Sequence, residues 1–173
     1  MKDEIKRQLD EASRSLAKKM EDAKNTEARK KESQDQSYQR FLKETRPMII
    51  AALTEIGEHL KKGGHEYKIS QSDKTVDKFG VVTGAYVGID IFPKIDKGIV
   101  TEKLENHPSI SYHYSIRSKK VSTRVHEYMP GSGSGSSGPD MEMELSEVTS
   151  ESVQDRVARL IKENFEKWRH FSL

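Results

Sequence analysis

The spacing of apolar residues changes at Gly63-Gly64, and that change constrains the fold more than any other feature of the chain. Before the glycine pair, Met48, Ile49, Ala52, Leu53, Ile56 and Leu60 recur at helical intervals. After it, apolar residues recur at alternate positions. A period near 3.6 draws one stripe down a helix, and a period of 2 fills one face of a strand. A chain written this way buries its helical stripes against one face of a sheet. The fold class expected is α+β: an antiparallel sheet of about four to five strands covered by two helices, with an additional N-terminal amphipathic helix.

The helix before the change opens at Thr45-Arg46-Pro47. Proline is tolerated there because a first-turn N–H has no intrahelical partner. Gly63-Gly64 stops the helix, with glycine available for a left-handed cap. The same helix can reach back to Tyr38, kinked at Pro47, because Tyr38, Phe41 and Leu42 form a further apolar patch.

Alternation then predicts the strands. His65 to Ser70 reads as a first strand with Tyr67 and Ile69 on one face, and Asp73 to Lys78 reads as a turn. Phe79 to Phe92 carries Ala85, Val87, Ile89 and Ile91 on one side and Tyr86, Gly88, Asp90 and Phe92 on the other. Gly84 and Gly88 point to a bend, a bulge or a close backbone approach. Residues 94–108 form a connection in which Val100 and Leu104 allow a helical turn. Ser109 to Ile116 and Val121 to Val125 alternate on either side of Arg117-Ser118-Lys119-Lys120. So short a link makes an antiparallel hairpin. Residues 131–139, rich in Gly and Ser, form a flexible loop. Residues 140–148 make a last strand beside 121–129. The chain closes with a helix over 151–170, capped by Ser150 or Ser152. Val153, Val157, Leu160, Ile161, Phe165 and Trp168 lie on its inner face.

Upstream, Ile5, Leu9, Ala12, Leu16 and Met20 draw one narrow stripe along a polar helix over residues 2–32. The stripe is too thin for a core helix and suits a docked arm or a short coiled coil. Residues 33–37, Ser-Gln-Asp-Gln-Ser, read as a joint. The organisation expected is an arm, 1–37, and a single α+β domain, 38–173.

Chemistry is sparse. The chain has no cysteine, so disulfides and thiolate chemistry are excluded. The net charge of +2 is too small for polyanion binding by charge alone. No apolar run approaches the roughly 20 residues of a membrane-spanning helix. No secretory leader follows Met1, so a cytoplasmic location is expected. No phosphate loop, nucleophile elbow or zinc-protease pair is present. The expectation is no cofactor and no metal.

The polar side of the 109–129 hairpin stands out. It gathers His113, Ser115 and Arg117 on one strand and Ser122, Arg124, His126 and Tyr128 on the next, with Lys119 and Lys120 between them. Such a surface suits an acidic or phosphate-bearing partner. Among carboxylates, Asp90 sits in the most apolar strand, where burial disfavours charge. Asp90, His113 and His126 are therefore the catalytic candidates. His113 and His126 could also meet across the hairpin, although two imidazoles fall short of a structural zinc site. The reading favoured is a non-catalytic protein-interaction module: an adaptor, inhibitor, immunity-type or assembly subunit. Its contacts would be Ile5, Leu9 and Leu16 on the arm and His113, Arg117, Lys119, Lys120, Arg124 and His126 on the hairpin. Its partner would be another protein or a second copy. The alternatives are a small hydrolase-like enzyme using carboxylate and histidine chemistry, and a weak nucleic-acid binder.

Overall fold

A computed structural model describes residues 3–95, 98–99, 107–127 and 139–169, in two compact units divided between Gln36 and Ser37. The expected turn at Val100 and Leu104, most of the 131–139 loop, Tyr128 and the Trp168 side chain lie outside the described residues.

The fold is α+β, with one five-stranded antiparallel sheet and helices before and after it. The strands are β1 (Glu66–Val76), β2 (Val82–Phe92), β5 (Ser109–Ser115), β6 (Lys120–His126) and β7 (Pro139–Glu144). They lie in the order 1-2-5-6-7, so each strand pairs with the next one of the sheet along the chain. Two short strands, β3 (Lys94–Ile95) and β4 (Gly98–Ile99), pair with each other outside it.

Helix α1 (Asp3–Arg40) leads through a π-helical turn (Phe41–Thr45) into α2 (Arg46–Lys62). In that turn the Arg46 N–H donates to the Phe41 carbonyl, one residue further back than in an α-helix. The turn lies immediately before Pro47, which cannot donate to the previous turn and crowds its carbonyl. Helical structure therefore does reach back past Tyr38. At the expected joint, 33–37, the helix α1 continues unbroken, and the boundary between the two compact units falls within it, between Gln36 and Ser37. Ser, Gln and Asp cost a helix well under 1 kcal/mol each, too little to break a long one.

The alternating residues account for the core. Ala85, Val87, Ile89 and Ile91 of β2, Ile110, Tyr112 and Tyr114 of β5 and Val121 of β6 are buried. They pack with Phe41, Ile49, Leu53 and Leu60 from the N-terminal side. Val153, Val157 and Leu160 of α3 (Ser150–Arg169) complete the cluster. One face of the sheet is thus covered by α2 and α3, as the apolar spacing implies. These helices run parallel: Glu55 accepts a hydrogen bond from Gln154, and the His65 ring, just past the end of α2, packs on Phe165 further along α3.

Three local expectations need correction. Strand β1 continues to Val76, so Asp73–Lys78 is mostly strand and the turn falls at 77–81. β2 accordingly begins at Val82 instead of Phe79. The cap of α3 is Thr149: its Oγ1 accepts the Ser152 N–H at 3.1 Å, and Ser152 Oγ accepts the Thr149 N–H at 3.0 Å. Neither Ser150 nor Ser152 is the capping residue itself. Ser152 is instead the reciprocal partner, placed three residues into the helix.

Candidate functional site

The sheet face opposite α2 and α3 carries the polar half of each alternating strand. Its register is fixed by the pairings. Tyr86, His113 and Ser122 lie in one row across β2, β5 and β6. Gly88, Ser111 and Arg124 form the next, and Asp90, Ser109 and His126 the one after.

His113 is half-buried. Its ring stacks on Tyr86 with centroids 5.4 Å apart, and Nε2 lies 2.9 Å from Ser111 Oγ. Burial, and secondly the neighbouring Arg124 guanidinium, lower its pKa to about 4. The imidazole is therefore neutral at pH 7 and acts as a packed hydrogen-bonding ring.

His126 does not meet it. Four residues along a strand separate the two rows, roughly 13 Å. Asp90 joins neither. Its Oδ1 lies 3.0 Å from Nε2 of His107, a residue in the connection before β5. The His107 ring also packs on Phe92, 4.8 Å between centroids, and its Nδ1 is buried with no hydrogen-bond partner among the described residues. Composition alone hid this pair. The available signal was His107 followed by Pro108, which brings the chain back to β2: the Ile91 N–H donates to the Pro108 carbonyl.

The basic residues of the hairpin also separate. Arg117 and Arg124 are exposed. Lys119 takes a left-handed backbone conformation, φ 59°, to close the turn after β5. Lys120 pairs with Glu144 of β7 at 3.2 Å. Glu142 stands opposite Ser122 on the same strand. An acidic edge strand thus lies beside the basic hairpin, which weakens its pull on a polyanion. Among the described residues no group of three or more His, Asp or Glu could hold a metal ion.

Two other surfaces belong to the candidate set. On α1 no residue is buried, and Ile5, Leu9, Leu16 and Met20 are 45–67% exposed. Between α2 and α3, a groove of about 670 Å³ is lined by Ile56, Leu60, Ala158 and Ile161 with charged residues at its rim. Family models, curated proteins and solved structures all give no match to this chain.

Proposed function

We infer that the chain is a non-catalytic protein-interaction module that uses the apolar stripe of α1 and the outward face of the β5–β6 hairpin. The observation that carries this reading is the exposure of Ile5, Leu9, Leu16 and Met20 on one side of a helix that has no fully buried residue. An isolated polar helix gains little from its own i,i+4 pairs, about 0.2–0.5 kcal/mol each. A partner that covered the stripe would add about 1.5–3 kcal/mol per large apolar side chain before ordering costs. The partner is a second copy or another protein. Sedimentation of the full chain over a range of concentrations, beside Leu9→Asp with Leu16→Asp, tests both, together with affinity capture by each form. A dimer or a captured protein lost with the two substitutions supports the reading. A monomer at every concentration, with no capture that depends on Leu9 and Leu16, overturns it.

The rival, an enzyme using carboxylate and histidine, has one contact in its favour, Asp90 with His107. A carboxylate that orients an imidazole is a common half of a catalytic arrangement. Here the other ring nitrogen is buried and meets no nucleophile among the described residues. Turnover abolished by Asp90→Asn and by His107→Gln, in variants with unchanged unfolding midpoints, would favour the rival.

A further inference from the structure

The end of the β1–β2 hairpin holds three large apolar side chains in water. Val76 is 60% exposed, Phe79 79% and Val81 59%. β5 pairs with β2 from Gly84 to Asp90 and the Ile116 N–H donates to the Thr83 carbonyl, so the loop 77–81 and the single pair Val76–Val82 at its base lie beyond β5.

The tip is firmly built. The Gly80 N–H donates to the Asp77 carbonyl at 3.0 Å, and the Asp77 N–H donates to the Val81 carbonyl at 3.0 Å. Asp77 Oδ1 accepts the N–H groups of Phe79 at 2.8 Å and Val81 at 3.0 Å. Gly80, at φ 78°, takes the left-handed position that a three-residue hairpin loop of this kind requires. Most of the loop's donors are therefore satisfied from within. Backbone entering an apolar medium is costly chiefly when its donors are unpaired, and here that cost is largely removed.

The charges around the tip divide by sign. Asp77 accepts two N–H groups and Asp73 pairs with Arg46, so that counted with Lys74 and Lys78 these residues carry a formal charge of +1. The cations are Lys74 and Lys78, and Lys78 Nζ lies 5.0 Å from the centre of the Phe79 ring. Long lysine stems let the ammonium groups lie above an apolar tip while remaining hydrated.

We propose that this tip is a peripheral lipid-binding element, which inserts Phe79, Val76 and Val81 into the interfacial layer of an anionic bilayer with Lys74 and Lys78 at the headgroups. Shape decides for lipid over protein. A narrow convex ribbon end offers far less than the roughly 800 Å² per partner of a standard protein interface. A lipid surface closes around it and needs no complementary pocket. The rigid turn also spares the ordering cost that a loose loop would bear. Basic residues add attraction to anionic headgroups that falls off within a Debye length.

Flotation of the full chain tests this, with vesicles of phosphatidylcholine alone and of phosphatidylcholine mixed with phosphatidylserine. The protein should float with the mixed vesicles. Phe79→Ser should lower the partition by about tenfold or more. Lys74→Glu with Lys78→Glu should remove the preference for phosphatidylserine. Unfolding midpoints equal to the parent's establish that both variants are folded; the tip is exposed, and neither change touches the core. A chain that floats with neither vesicle, or a partition that survives Phe79→Ser, overturns the proposal. A tip made for a protein pocket would give the first of those results.

Discussion

A methyl group added at Gly84 would sit 1.8 Å from the Tyr114 carbonyl oxygen, and backbone cannot yield that much. Close approach is thus the reason for this glycine, one of the three that its position in an alternating strand suggests. Gly84→Ala should lower stability by about 1–3 kcal/mol, the usual range for forcing atoms into a packed site. A shift of the urea midpoint without a change in slope would show it. The histidines make a second prediction at this scale. Burial, and then Arg124, lower the pKa of His113 to about 4. Burial, and then Lys94, lower that of His65, whose Nδ1 accepts the Lys94 N–H at 2.9 Å. A histidine whose folded pKa lies below its unfolded one leaves the unfolded state binding more protons between the two values. Stability then rises with pH through that window. For His113 the window runs from about 4 to the ordinary imidazole value of 6.5. Unfolding measured across it should give a slope that flattens in His113→Gln; an unchanged slope would place the cause elsewhere. The sequence showed that His113 and Arg124 share a face, because alternation fixes faces. It did not show that Asp90 meets His107, because that pairing depends on a connection with no period to read.

Phe41 is fully buried in the π-helical turn, and its ring stacks on Tyr114 with centroids 4.9 Å apart. Tyr38 adds a second ring 6.0 Å from Tyr114, whose hydroxyl donates to Ser37 Oγ at 2.8 Å. This short stretch therefore anchors the start of the larger unit. Phe41→Ala should cost about 3–5 kcal/mol in chemical denaturation, far more than an exposed helical substitution. At α3, Thr149→Ala should cost about 1 kcal/mol, because it removes the acceptor of the Ser152 N–H and breaks the reciprocal pair. The central strands and the face of α2 were legible because apolar residues mark a buried side. The second half of β1 was not. It is an edge strand of Gln, Ser, Asp, Lys and Thr, held by pairing with β2 and carrying little burial to record. Lysines along such an edge also discourage pairing with another chain. The π turn was foreshadowed only by Pro47, since proline marks where a helix must deviate without saying how.

At the scale of the chain, 33% hydrophobic residues looks lean for a folded protein, and the two units explain it. The smaller unit is helix without a buried residue. Its backbone bonds therefore have no buried side chains to protect them, whereas the central strands are packed on one face and paired on both sides. Hydrogen exchange should be fast over residues 5–32 and slowest over 85–91 and 110–114; equal protection in both would contradict this division. The sheet itself is built from neighbouring strands, which keeps loop closures short and favours rapid folding. Five antiparallel strands between α2 and α3 also fix a parity. Each strand reverses the chain, so an odd number returns α3 to the direction of α2. Parallel helices finish at the same edge of the layer, leaving the start of α2 and the finish of α3 a helix length apart, about 25 Å for 17 residues. A circularly permuted form of this unit would thus need a bridge of roughly eight or more extended residues across the outside of the helical layer. An even-stranded relative of the same layout could be closed with a tight turn.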